Sequence, residues 1–538
     1  MARLPRLLFV LVGIAATALA MAGRHSRDPL RQPAPRRSDG RPRDAEFAAT
    51  VELLNAALRS EWQAAPTAEP ADDLTVARRL SLALVGVTPS LEEVRRLEGW
   101  PADERIDRHV DRLLADRRAA DYLAERLARA LVGDENGPFL LFRRRRFVSW
   151  IADTLHESSR YDRLIHSVLT GEGVWTDRPE VNFVTATVEN ATGQPDPDKL
   201  AVRVSRAMLG VRLDCAQCHD HPFDERWKQS DFEGLAAFFG ATGFSASRFG
   251  DGEAALRGVA DFAEPYSVED RSTGKPRVVA PRPPFQAELA GDAGRPRERL
   301  AAWVTHPNNR AFARATVNRF WALLVGEPLV EPLDDLPLDA PVAGLDELAD
   351  AFIASGYDWR QLVRTIAASD FYRLQSRGPD GAIVFPVTRL RGEQVAGAIA
   401  QSSQLTTIDS QSHILIKIIR GATQGSFLRR YGDAGSQEME PAAGAVSQFL
   451  LMMNGDAIDE RTRPNLVTNA ATRIATLAPD DAAAVEAAYL ATLTRRPTSA
   501  EREHFVRQLA GTEGEPRAQL LGDLYWALIN STEFSWNH

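Results

Sequence analysis

From Phe47 onward apolar residues recur at helical spacing in one segment after another. Val76, Leu80 and Leu84 mark one face of a helix over residues 74–85, with Arg78 and Arg79 beside them, and Gly86 stops it. The run Thr88-Pro89-Ser90-Leu91-Glu92-Glu93 opens the next helix with Ser90 as N-cap. The same period predicts helices over 103–116, 121–132, 147–156 and 161–169. Residues 171–192 are punctuated by Gly and Pro and read as an irregular excursion.

The second half is patterned alike. Helices are expected over 297–304, 311–324, 345–355, 359–368, 389–402, 445–453, 480–493, 499–509 and 517–529. Phe312, Val317, Phe320 and Trp321 suit a buried helix, which Gly326 ends. Between the halves, residues 244–284 are rich in Gly, Pro and Ser with a few β-branched positions, notably Val278-Val279. The expected fold is therefore mainly α: two helical domains, 46–243 and 296–538, joined by a short β-rich or irregular connector over 244–295. No internal repeat is legible.

The first residues are of another kind. Arg3 and Arg6 precede an apolar run from Leu7 to Gly23, and Ala18-Leu19-Ala20 or Ala20-Met21-Ala22 supplies a small-residue cleavage pattern, so residues 1–23 read as an export signal. Retained, the 17-residue run would lie at the lower limit for a membrane span, with a basic patch placed against the positive-inside rule; cleavage is the better reading. Residues 24–45, rich in Arg and Pro, read as a linker. The chain is thus expected in the periplasm or cell envelope, touching membrane only through an uncleaved N-terminal segment.

Composition narrows the partners. The chain has 538 residues, 44% of them hydrophobic, which is enough for two or three domains with cores. Its net charge is −9; residues 1–43 hold nine Arg and two Asp, so the remainder carries −16. An acidic body excludes a general nucleic-acid binder, which needs a basic face. Arg143 to Arg146 reads as a solvated helix face before an anion site.

The candidate chemistry is concentrated between Leu209 and Gly240. This stretch holds the only two cysteines, Cys215 and Cys218, and His219 follows directly, spelling C-x-x-C-H, the c-type haem attachment pattern. Two thiols can add across the porphyrin vinyl groups while the adjacent imidazole ligates iron. A helix over 199–209 closed by Gly210 precedes the loop, and Ser230 with Glu233 reads as a capping box for the helix that carries Phe232, Leu235, Phe238 and Phe239. Two further readings stay open. One is a strained disulfide or redox thiol pair. The other is a divalent metal held by Cys215, Cys218, His219 and His221, although four ligands within seven residues are cramped for a tetrahedral cage.

Several motifs resemble a known family. Arg78-Arg79-Leu80-Ser81-Leu82 with Gly86-Val87-Thr88-Pro89, Val110-Asp111-Arg112-Leu113-Leu114, Tyr161-Asp162-Arg163, and Cys215-Ala216-Gln217-Cys218-His219-Asp220-His221-Pro222-Phe223-Asp224 with Trp227 look like the planctomycete cytochrome C-like domain. The later half is similar to its usual partner, the planctomycete surface-type domain of unknown function. That similarity rests on Asn308, Phe312-Ala313-Arg314, Val317-Asn318-Arg319, Trp321, Asp334-Asp335, Gly356-Tyr357, Arg389, Glu393, Asn454-Gly455, Arg495-Arg496-Pro497-Thr498, Glu501 and the ending Glu533-Phe534-Ser535-Trp536-Asn537-His538. The resemblance implies a cytochrome-like motif in an exported, envelope-associated setting, and no substrate. This chain departs from the pattern at Arg126-Leu127-Ala128-Arg129-Ala130-Leu131-Val132, where members carry a tryptophan-leucine-aspartate run, and it lacks their long middle insertion.

With haem c attached, His219 is the proximal ligand. Met208, Met439, Met452 and Met453 are the thioethers available for the sixth position, each more readily explained as packing. His221 would orient the site or bond Asp220 or Asp224. Asn318, Arg319 and Trp321 could line a pocket, but on one helix they more often form a buried polar lock. Glu331 with Asp334-Asp335 could bind a hard cation, but reads as an exposed turn. The functional expectation is an electron-transfer or redox component with a redox partner protein. The alternative is a non-catalytic envelope or polysaccharide-handling scaffold, in which the loop is a disulfide or metal staple. A third, an enzyme with a pocket between the halves, has only the helix motifs in its favour.

Overall fold

The computed structural model describes residues 42–62, 65–133, 144–188, 193–221, 224–245, 258–262, 265–270, 273–409, 427, 430–431, 446–466 and 468–538. Two compact units are present, Met1–Ala49 and Thr50–His538. In the first, the described residues belong to the start of helix α1, Pro42–Trp62. The export segment and most of the linker lie outside the described residues.

The second unit is mainly α-helical, as expected. Helices α2 to α7 are Asp73–Val85, Leu91–Glu98, Arg105–Ala115, Arg117–Val132, Arg144–Glu157 and Tyr161–Thr170. The single turn α8 is Asn182–Thr185, and α9 and α10 are Pro197–Arg203 and Gln229–Ala236. Helices α11 to α15 are Pro296–Val304, Arg310–Val325, Leu345–Ala354, Trp359–Ala368 and Gly392–Ser402. The last six, α16 to α21, are Val446–Asn454, Asp456–Thr462, Ala470–Leu477, Asp481–Leu493, Ser499–Leu509 and Gly514–Ile529. The segment expected to be β-rich or irregular carries two antiparallel hairpins, β1 (Thr242–Ser245) with β2 (Gly258–Asp261) and β3 (Ser267–Asp270) with β4 (Lys275–Val278). A third small pairing joins β5 (Thr388–Arg389) to β6 (Trp536–Asn537).

Local signals account for many helix ends. The Asp72 carboxylate accepts the Thr75 amide at the start of α2, and Gly86 ends it at φ 69°. Ser90 and Glu93 exchange side-chain and backbone bonds as a full capping box on α3.

Helix α2 is buried nearly all round, which a two-faced surface helix is not. Val76, Leu80 and Leu84 join an apolar cluster running from Leu54 to Phe385, Leu82 joins a second that runs from Leu390 to Phe534, and Leu74 and Ala77 pack with Val94, Leu97 and Leu490. The two large apolar clusters thus part between Phe385 and Leu390. Trp303, Phe312 and Val317 share one core with Leu169 and Phe232, so α11 and α12 complete the N-terminal half.

Candidate functional site

The C-x-x-C-H peptide sits on a turn braced from both sides. Helix α9 does not run on as a regular helix to Leu209; it widens into a π turn over Val204–Met208, and Gly210 follows at φ 64°. The left-handed backbone and the tight surroundings both favour glycine there. A Cβ would stand 3.0 Å from Leu336 and 3.2 Å from Ala315, and the Gly210 carbonyl accepts the Leu336 amide at 2.7 Å.

Residues from α12 and the loop after it hold this entry in place. The Arg319 guanidinium donates to the Ala207 carbonyl at 2.7 Å, inside the π turn. Arg212 clasps Asp334 Oδ1 with Nε at 2.9 Å and Nη2 at 2.6 Å, and Arg206 bridges the Asp334 and Asp214 carboxylates. Asp334 is therefore committed to two guanidiniums beside the cysteine turn and is part of its frame.

Asp214–Gln217 form a 3₁₀ turn. Side chains three apart eclipse in that geometry, so buried Leu213 and Ala216 share the inward face while Cys215 and Cys218 share the outward one. The two cysteines are not joined in a disulfide, and both are exposed, as is His219. Their neighbours are polar. Gln217 donates to Asp198 at 3.0 Å, and Asp220 accepts the Gln229 amide at 2.9 Å and pairs with Lys228 at 3.4 Å. The amide of Gln229 and the Lys228 charge hold the Asp220 carboxyl below its ordinary range.

The two histidines are set apart by their hydrogen bonds. His219 Nδ1 lies 2.8 Å from the Asp220 carbonyl oxygen, which can only accept, so Nδ1 carries the proton and the Nε2 lone pair of the neutral ring faces outward. His221 Nδ1 receives the Asp224 amide at 3.0 Å, so its lone pair is spent inside the loop. The backbone amide of His221 bonds the Trp227 carbonyl at 2.9 Å, and the buried Trp227 ring packs against Phe285, which in turn packs on Trp303. The Asp224 carboxyl, bonded to Arg226 at 2.7 Å, is likewise held low.

The helix after the loop starts differently from expectation. Asp231, not Glu233, takes the N-terminal amide, that of Lys228, at 2.9 Å, and Ser230 lies within the first turn; Glu233 pairs instead with Arg277 on β4. The other candidates are core residues. Asn318 clamps the Val330 backbone, accepting its amide at 3.1 Å and donating to its carbonyl at 2.9 Å, and Trp321 stacks on Phe371 at 5.6 Å. With Arg319 on the π turn, all three side chains are spent on packing and backbone contacts. Met208 and Met452 are buried, Met453 is half exposed, and Met439 lies outside the described residues. Among the described residues no three His, Cys, Asp or Glu side chains converge as a metal-sized cluster, so Cys215, Cys218, His219 and His221 are not gathered as a cage.

One contact was not foreseen. Arg126, in the stretch that departs from the resemblance, is buried against Glu393 at 3.1 Å, and Arg391 adds a second guanidinium to Glu393 and bonds Tyr122. This ion pair ties α5 to α15. The signal for it lay in Glu393, the one charged residue of α15.

Residues 53–243 match the family model PSCyt2, described as a protein of unknown function (DUF1549), and residues 296–417 match PSD1, likewise a protein of unknown function (DUF1553). No curated protein and no solved structure matches the chain. The order of the two matched segments is the two-part planctomycete arrangement that the sequence motifs suggested.

Proposed function

We propose that Cys215, Cys218 and His219 form an attachment site for haem c and that the chain is an exported redox component of the cell envelope, passing electrons to a protein partner. The observation that carries this reading is the combination of two exposed cysteines, not joined in a disulfide, on one face of a turn with an adjacent imidazole whose Nδ1 is bonded to the loop backbone. The donor set fits the group. Each S–H would add across a vinyl C=C, sulfur to one carbon and hydrogen to the other, with no net oxidation. Bound there, haem supplies a one-electron iron couple. The protein's part is to hold the turn through Gly210, Arg206 and Arg212, and to keep the His219 proton on Nδ1.

One observation favours the scaffold reading. The flanks of the turn are Gln217, Asp220, Lys228 and Gln229, which offer no apolar wall. In that case the two thiols would serve as a disulfide or metal staple.

The experiment is expression in a host that matures c-type cytochromes. A Soret band that survives acid-acetone extraction, and that is lost in Cys215→Ala/Cys218→Ala, is expected. A colourless protein under those conditions refutes the haem reading; elemental analysis and thiol titration before and after reduction then separate a metal staple from a disulfide.

A further inference from the structure

Helix α16, Val446–Asn454, wears its apolar stripe on the outside. Val446, Phe449, Leu450 and Met453 fall at i, i+3, i+4 and i+7, the spacing of one helical face, and are 75%, 51%, 53% and 48% exposed. The face turned to the protein carries Gln448 and Met452, both buried, and Gln448 donates to the Tyr431 carbonyl at 2.9 Å. A surface helix ordinarily buries the stripe and exposes the amide, and here the order is reversed. Four of the eleven large apolar side chains exposed among the described residues lie on this one helix of nine residues, a concentration unlike the single scatter found on any surface.

The patch is held in shape from two sides. Trp526 on α21, itself exposed, donates from its indole to the Met453 carbonyl at 3.3 Å and carries the apolar face past the helix end. The Arg389 guanidinium lies 5.2 Å from the Phe449 ring centroid. Side chains already ordered lose little freedom on docking.

Area and symmetry identify the occupant as a second copy of this chain. With full areas of about 150–250 Å² for large side chains, the four stripe residues and Trp526 leave on the order of 500 Å² in water. A stable interface takes about 800 Å² from each partner, of which roughly 60% is apolar, so this patch alone supplies the apolar share. The stripe also reads the same from either end. In an antiparallel pair of helices about a twofold axis, position 449 of one copy faces 450 of the other and 446 faces 453, apolar on apolar at every level. Charge argues against a lipid surface. Asp456 directly after α16 and Asp523 one turn before Trp526 are exposed, and an anionic bilayer would repel both.

We infer that α16 is the centre of a twofold-symmetric dimer, packed antiparallel on α16 of a second copy with Trp526 at its edge. No residue of the C-x-x-C-H turn takes part, so dimerisation is independent of haem, and protein carrying Cys215→Ser and Cys218→Ser should associate equally well.

The test is sedimentation equilibrium of the full chain in reducing buffer over a wide range of concentration. A reversible monomer–dimer equilibrium is expected. Leu450→Asp and Phe449→Lys, both on exposed side chains, should each weaken it about tenfold or more with an unchanged circular dichroism spectrum. Because 449 faces 450 across the axis, an equimolar mixture of these two variants should recover a heterodimer. Should either variant fail to fold, Val446→Lys, at the most exposed position of the stripe, takes its place and should weaken the dimer likewise. A parent that stays monomeric overturns the assignment, and flotation of that monomer with phosphatidylcholine vesicles would name lipid as the occupant instead. A dimer untouched by the folded variants, or a mixture that recovers nothing, would overturn it as well.

Discussion

His219 and His221 stand two residues apart and hold their ring protons on opposite nitrogens. The Asp220 carbonyl fixes the first at Nδ1 and the Asp224 amide occupies Nδ1 of the second. Only His219 presents an outward lone pair, so the two imidazoles have different work. In protein matured with haem c, His219→Ala should keep the thioether bonds while the visible spectrum loses its imidazole-ligated form. His221→Ala should leave the spectrum intact and cost about 1 kcal/mol of stability through the orphaned Asp224 amide. Absorption spectra and denaturant midpoints of the two variants read these outcomes separately. A spectrum that follows His221 would reverse the roles.

The Arg126–Glu393 pair predicts a large stability effect far in sequence from the cysteines. Glu393 answers two guanidiniums, Arg126 and Arg391, and all three side chains are largely buried. Burial dominates the environment of Arg126 and lowers its affinity for the proton, which Glu393 offsets. Glu393→Ala would leave two cations without a counter-charge, a change worth about 3–5 kcal/mol. Urea denaturation should show the loss, and Arg126→Met in the Glu393→Ala background should recover part of it. Additive losses in the double variant would mean that the pair is not the cause.

His109 gives the chain an acid limit. It is wholly buried with Nε2 3.0 Å from Ser81 Oγ, and burial pushes its imidazole down to about 4. Of the charges around it, Glu93 opposes the shift while Arg112 and Arg118 reinforce it. In the unfolded chain the ring protonates near 6.5, so between these values the unfolded state holds a proton that the folded state does not. The contribution is complete above pH 6.5 and is lost as the pH falls to 4. The loss is on the order of 3 kcal/mol. Midpoints measured from pH 7 to 4 should fall more steeply in the parent than in His109→Gln. Equal slopes would remove His109 as the cause.

Much of the helical layout was legible because its signals are local. Periodic apolar faces with a Gly stop placed α2 and α12 to within a residue, and Ser90 with Glu93 marked a cap from four residues of text. Where two local signals competed, the text misled: Asp231 outranked Glu233 because its carboxylate reaches the Lys228 amide. The short helices Asp456–Thr462 and Ala470–Leu477 were missed, since seven or eight residues hold too few turns to show a period. The parting of the cores near Phe385–Leu390 was illegible because α11 and α12 pack back across the hairpins, a non-local choice. At the site, the motif named Cys215, Cys218 and His219, but only the fold shows which way the rings are protonated and that Arg206 and Arg212 neutralise Asp334. Arg78 and Arg79 read as flanking charges because arginine is seldom fully buried; backbone oxygens from three distant segments, 372–374, 492 and 533–538, make their burial tolerable.

The approach of α15 to the turn after α2 leaves no room for a methyl group. A Cβ on Gly397 would stand 2.5 Å from the Gly86 carbonyl oxygen and 2.7 Å from Val87 Cγ1, and backbone cannot step aside as a side chain would. Opposite, Gly86 at φ 69° would bring a Cβ within 2.6 Å of the Tyr122 ring. In a free helix Gly→Ala adds stability through propensity, so the sign of Gly397→Ala decides between propensity and packing. Overpacking should win, with a net loss of about 1–3 kcal/mol. Gly86→Ala should cost at least as much, because conformational strain at positive φ adds to the clash. The two sites touch, so the double variant should lose less than the sum of the single losses, the first displacement having already opened the contact. Denaturant midpoints of the three variants measure this directly, and a stabilised Gly397→Ala would show that α15 does not seat on Gly86.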